Sequence, residues 1–382
     1  MTAFPQLKQA LPPVQAWIRN EALPFWGTVG VDLARGGFHE RLDLAGAPIT
    51  QVPKRLMVQG RQLYAFCHAG VLGWFADARP LADRCVAYML DAFYQRDGEA
   101  GFVHSLAPDG GIANATRDTY AHAFALLGLA WYHRFTGDTQ VLKVVDETLV
   151  FLDGFLGSDR GGYLDALPRP DALRRQNPHM HLFEAFIALY QATGDARFLA
   201  RGAEIFGVFA TGFFQPSVGA LTEYLTEDLD PVPDARGRIS EPGHHYEWIW
   251  LLRHFQHASG RDVSTYCGAL YDHANRYGWD AAGYIRDEVE ATGAVIKTSR
   301  RCWPHTEGLK ANIVEGELGR TNCDALAVRC LQRLADTFIG RPVPGGWIDH
   351  MDEKGAPLVA MMPASTLYHL FCAIAEAARV TG

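Results

Sequence analysis

Residues 177 to 185, Asn-Pro-His-Met-His-Leu-Phe-Glu-Ala, place His179, His181 and Glu184 just after the start of an apolar stretch. Related clusters recur along the chain. His244 and Glu247 follow Pro242, Trp303 and Glu307 flank Pro304, His369 follows Pro363, and Arg61 follows Pro53. An imidazole has an unperturbed pKa of about 6.5, so it can take or give a proton near neutrality. A glutamate three residues after a histidine on a helix can orient that imidazole. A catalytic metal is not expected, because His179 and His181 point in different directions on a helix, unlike the i, i+4 ligands of HExxH. There is no GxxxxGK[ST] loop and no GxGxxG after a strand, so no nucleotide cofactor is expected either.

Each residue also has a plainer reading. Asn177 could be a helix N-cap, His179 and His245 could face outward or satisfy nearby backbone groups, and Glu184 or Glu247 could be first-turn carboxylates favoured by the helix dipole. Convergence decides between the readings. Burying titratable groups from several helices at one place costs stability, which points to proton-transfer chemistry.

The elements that position these residues form a repeat. A glycine followed by an aromatic or apolar residue and a polar stretch recurs at Gly37, Gly101, Gly162, Gly219, Gly283 and Gly346, with spacings of 57 to 64 residues. Between these elements the apolar residues fall at helical spacing. The stretches ending in Thr-Gly-Asp at Gly137 and Gly194, and in Ser-Gly-Arg-Asp at Gly260, predict left-handed glycine caps. A second, more charged helix follows each. Six such pairs could stack as an open solenoid, but the nearly all-apolar first helices suit an inner layer covered on both sides. The expectation is therefore an all-α protein, an (α/α)6 barrel of six helical hairpins with short strands or loops at one end, in one catalytic domain over residues 1 to 382. Prolines at 53, 178, 242, 304 and 363 mark the starts of five inner helices. The sixth, near Arg117, Asp118, Tyr120 and His122, lacks one. All six starts should share one mouth.

Composition narrows the partners. The 382 residues are 48% hydrophobic and 20% charged, as in globular proteins, with a net charge of −8 and a pI near 6.0. A basic surface for nucleic acid is not indicated. No uninterrupted apolar span or signal-peptide pattern is visible, so no membrane association is expected and a cytoplasmic location is. The seven cysteines include no CxxC pair and read as small core residues. Oligomeric state has no signature here; a homodimer is compatible with the sequence.

The segments around Gln59–Phe66, Asn177–Asp195, Glu241–Leu252, Trp303–Ala311 and Pro363–Ala373 resemble the N-acylglucosamine 2-epimerase superfamily, in order and spacing, over essentially the whole chain. That superfamily includes mannose, sulfoquinovose and cellobiose isomerases or epimerases, built on the (α/α)6 barrel. The resemblance implies that His369 and His244 are the acid/base pair, that His181 assists ring opening or binds the sugar, and that Arg61, rather than Arg55, binds substrate oxygens. It also implies that Asn177, Glu184, Glu247, Trp303 and Glu307 line or brace the pocket. His305 stands where many relatives have glutamine, which bears on substrate preference. The implied partner is a small-molecule sugar, and the implied reaction is aldose–ketose isomerisation of a free sugar such as mannose, with 2-epimerisation as the alternative. Two other classes compete. An inverting glycoside hydrolase could pair Glu247, Glu307 or Asp118, and a sugar-binding regulator would need no chemistry. Arg174, Arg175, Arg300 and Arg301 could accept a sulfonate or phosphate.

Overall fold

The computed structural model describes residues 4–382. Among the described residues, twelve helices of eleven residues or more alternate between two layers. The inner ones are α2 (Leu56–Val71), α4 (Thr119–Thr136), α6 (Gln176–Thr193), α8 (Pro242–Ser259), α10 (Trp303–Glu317) and α12 (Thr366–Thr381). The outer ones are α1 (Pro5–Trp17), α3 (Ala78–Ala92), α5 (Gln140–Phe151), α7 (Ala196–Val208), α9 (Ser264–Tyr277) and α11 (Cys323–Arg333). Each inner helix packs on the next, and α12 returns to pack on α2. The ring is closed, which excludes the solenoid. On the outside, α1 covers α12 and ties to α11, where the amides of Gln6 and Leu7 donate to the Asp324 carboxylate at 2.9 Å.

Nearly every residue in the first three turns of α4 and α6 is buried, as apolar patterning on all sides requires. Closeness of approach is set by small residues. A Cβ on Gly60 would lie 2.3 Å from the carbonyl oxygen of Phe124, so only glycine lets α2 and α4 cross there. Gly137, Gly194 and Gly260 end α4, α6 and α8 with φ of 74°, 71° and 73°, the expected left-handed caps.

Short antiparallel pairings stitch each unit to its successor at one end. Lys54–Arg55 pairs with Ser105–Leu106, Arg117–Asp118 with Ala166–Leu167, and Leu173–Arg175 with Tyr224–Thr226. Ile239–Ser240 pairs with Glu288–Glu290, Arg300–Arg301 with His350–Met351, and Met361–Pro363 with Arg41–Asp43 of the first unit. In every pairing one strand leads into an inner helix, so all six helix starts share one mouth. The proline rule holds only in part. Pro178, Pro242 and Pro304 lie in first helical turns, but Pro53 precedes a strand and Pro363 ends one. Proline biases the residue before it toward extended backbone, which suits those two approaches. All seven cysteines are free and buried.

Candidate active site

One register repeats around the inner ring. Nε2 of His122, His179, His245 and His305 accepts the amides of Phe102, Tyr163, Leu221 and Ile285 at 3.0 to 3.1 Å. Each Nδ1 meets the carbonyl four residues back, at Asp118, Arg175, Glu241 and Arg301. Gln59 does the same work on α2, accepting from the amide of Phe38 at 2.8 Å and donating to its carbonyl. These side chains fasten the glycine elements to the inner helices. Burial holds the four imidazoles at about 3 to 4, so they are neutral, as one donor and one acceptor nitrogen require. His179 and His245 thus satisfy backbone groups as expected. His305 does too, with both ring nitrogens engaged by backbone groups.

Two positions on, the helix has turned by about 200°, and the side chains face the barrel interior instead: Arg61, Phe124, His181, Glu247, Glu307 and, in the same phase, His369. This is why a His-Met-His run serves two purposes. His244 joins the interior group from the position just before its fastener, His245, in the first turn of α8.

The three interior imidazoles share one construction. Nδ1 of His369 lies 2.9 Å from Glu307 Oε1, Nδ1 of His244 lies 2.9 Å from Glu223 Oε2, and Nδ1 of His181 lies 3.0 Å from Glu184 Oε2. Each carboxylate holds the Nδ1–H tautomer and turns Nε2 toward the site, where it makes no hydrogen bond among the described residues. Their charge states differ. Burial depresses His369 to about 3 and His181 to about 4, outweighing the glutamate attached to each. Burial acts on His244 in the same sense, but Glu223 and Glu241 together outweigh it and raise the imidazole to about 10. At neutral pH the His369 ring is neutral and the His244 ring protonated.

Trp303, at the mouth, spans both, with its ring centroid 5.0 Å from that of His244 and 5.6 Å from that of His369. The tryptophan fits only because position 243 is glycine, where a Cβ would come within 2.5 Å of the indole. Arg61 lies over Phe124 at 4.2 Å and Tyr368 at 5.0 Å, donates to the Tyr120 hydroxyl at 2.6 Å, and leaves a buried Nε without a partner. Arg55 is instead ion-paired with Glu40. Glu184 also accepts from the Tyr368 hydroxyl. Burial and the nearby Glu307 push the Glu247 carboxyl well above its usual range, and its buried Oε1 has no partner. Asn177 is the second residue of α6 and not its N-cap; its Oδ1 is buried and unpaired, in the register position of Tyr120 and Trp303.

Glu223, Glu241, Lys310, Tyr120 and Tyr368 complete the site. Sequence reading assigned none of them a role beyond placing Tyr120 near the mouth. Glu223 comes from a glycine element and not from an inner helix. Lys310 carried a signal, a charged residue three positions after Glu307 on a helix expected to be buried. The interior oxygens and nitrogens of Glu247, Glu307 and His369 lie within 4.8 Å of one another, as do those of Glu223, Glu241 and His244. In the first group a cation is already present, since Lys310 Nζ is 2.6 Å from Glu307 Oε2. That crowding is also tighter than the 6.5–9.5 Å or so between the carboxylates of an inverting hydrolase, and Asp118 is occupied in capping α4 at the Ala121 amide. The other arginines considered for an anion are largely committed: Arg174 to Ser158 and Gly161, Arg175 to Asp165 and Asp171, and Arg300 to Asp280. Arg301 approaches Asp287 at 3.8 Å.

A closed ring of helix pairs with three glutamate-braced imidazoles in its interior is the class of protein the fold and site define, and similarity to known proteins narrows it. The family model for N-acylglucosamine 2-epimerase (GlcNAc 2-epimerase) matches residues 36–373, and the chain belongs to that family of sugar isomerases and epimerases. A protein of Rhizobium meliloti (strain 1021) named mannose-6-phosphate isomerase is 34% identical, with 94% of both chains covered. A D-mannose isomerase of Thermobifida fusca is 26% identical, with 90% of this chain and 88% of that one covered. The solved structure of a cellobiose 2-epimerase from Spirochaeta thermophila superposes with a TM-score of 0.88 at 24% identity, covering 99% and 98% of the two chains, and supports the (α/α)6 fold. Among the described residues no helix is long and apolar enough to cross a membrane.

Proposed function

We propose that this enzyme interconverts a free aldose, such as mannose, with its ketose, fructose in that case. It would work as a single cytoplasmic catalytic domain, alone or as a homodimer, without a metal or organic cofactor. The observation that carries this reading is the pairing of a neutral His369 with a protonated His244, both with Nε2 unoccupied and both beside Trp303.

His369 Nε2 removes the C2 proton of the open-chain aldose while His244 gives its proton to the carbonyl oxygen at C1, forming an enediol. His244 then takes the proton from the C2 hydroxyl as His369 returns its own to C1, and a ketose results. The charge that develops on the oxygens is met by Arg61 and by the neutral, hydrogen-bond-donating Glu247. His181, neutral and braced by Glu184, serves ring opening, and Asn177 presents an unpaired oxygen to a sugar hydroxyl. The alternative is 2-epimerisation, in which His244 delivers a proton to the opposite face of C2; the cellobiose 2-epimerase of the same fold keeps it in view. Incubation with mannose in heavy water, followed by NMR of the products, separates the two. Deuterium at C1 of fructose is expected; deuterium at C2 of an epimer gives the alternative, and no exchange into any aldose tested would end both.

A further inference from the structure

Beneath the three imidazoles the barrel floor holds a buried lysine that the proton transfers above do not use. Lys310 lies one turn below Glu307 on α10; both side chains are 0% exposed, and the ammonium is 2.6 Å from Glu307 Oε2 and 4.1 Å above the Trp250 ring. The groups near it are Glu307 of its own helix, Glu247 and Trp250 of α8, Glu184 of α6, and His369 and Cys372 of α12. A lysine in a dry interior ordinarily sheds its proton. This one keeps it, because the acidic groups around it, Cys372 first and then Glu307, outweigh the burial.

We propose that Lys310 is a positioning residue whose fixed positive charge keeps Glu307 an ionised acceptor, so that His369 carries its hydrogen on Nδ1 and presents a bare Nε2 to the substrate. Glu307 divides its two oxygens between the partners, Oε1 to His369 and Oε2 to Lys310. With the ammonium removed, Glu184 and Glu307 lose the cation that acts on both of them, and like charges in a buried space recruit a proton. The Glu307–His369 pair takes it up. Whether that proton rests on the carboxyl, which then donates to Nδ1, or on the ring, Nε2 ends up carrying hydrogen and no longer acts as a base. The catalytic consequence rests on the isomerase reading above, but the protonation state does not.

The experiment compares native protein with Lys310→Met, which keeps the side-chain stem without its charge. Histidine side chains labelled with ¹⁵N, with His369 assigned by loss of its signals in His369→Ala, report the state of Nε2 directly. The native protein should show Nε2 unprotonated at pH 7, and Lys310→Met should show it protonated. Turnover on mannose should fall about 100-fold with KM within about threefold, and the acid limb of kcat should move to higher pH. An unprotonated Nε2 in folded Lys310→Met would overturn the proposal. So would a native His369 that protonates near its ordinary pH, a result that stands even if the variant does not fold. If no aldose is turned over, the isomerase reading fails while the nitrogen shifts still decide the role of Lys310.

Discussion

The His369 and His244 corners of the site begin from the same parts and reach opposite charge states. Each imidazole sits in the first turns of an inner helix, is almost fully buried, and has Nδ1 on a glutamate at 2.9 Å. The difference lies one shell further out. Glu307 is held near 2, because Lys310 and His369 outweigh the burial that would raise it, and its charge is already shared with an ammonium. Glu223 has no such cation, and Glu241, whose carboxyl burial lifts to about 7, stands 3.8 Å from the same imidazole. A carboxylate on a histidine therefore does not by itself decide whether the ring is an acid or a base. The surrounding charge decides.

The largest effect on this comparison should come from removing either ring. His369→Ala and His244→Ala should each lower deuterium exchange into mannose by at least about 10²-fold while leaving a folded protein, since a positioned acid or base contributes about 10²–10⁴. Full exchange in either would dissolve the pairing. A smaller, more diagnostic loss is expected from Glu223→Gln. The acid must be protonated to work, so native kcat/KM should hold up to about pH 10 and fall above it. Without the Glu223 charge, burial regains control of His244, and the alkaline limb should move down by two or more pH units. An unmoved limb would mean that Glu223 does not set that charge.

The smallest effect should come from His305→Gln, which imitates Gln59 at the same register. Activity should stay within about twofold and stability within about 1 kcal/mol, because the amide can accept from the Ile285 backbone as the imidazole did. Its signature is in acid. His305 has a folded-state pKa of about 4 against an ordinary 6.5, so the unfolded chain binds the extra proton and stability is lost as pH falls from about 6.5 toward 4. Glutamine removes one proton from that linkage and should flatten the slope over the same window, measurable by denaturant unfolding at a series of pH values.

Much of this architecture was open to a reader of the chain. The glycine repeat, the three capped helices and the all-round apolar inner helices implied a closed ring of hairpins, because a helix without a polar face must be covered on every side. The divergence of His179 from His181 followed from helical phase alone. His305 was harder to place. Its type looked informative about substrate, yet its phase matches the fasteners, and that register becomes visible only when the backbone groups it meets, Ile285 and Arg301, are brought together.

What the sequence determined by itself was the inner helices and the candidate histidines they carry, since helix periodicity and capping are local properties of the chain. Tertiary structure alone decided which imidazole is charged. That outcome depends on Glu223 arriving from a hairpin 21 residues before His244, and on Lys310 meeting acidic groups of three different helices in the buried interior. Electrostatic energy depends on distance through the interior, and distance along the chain does not specify it.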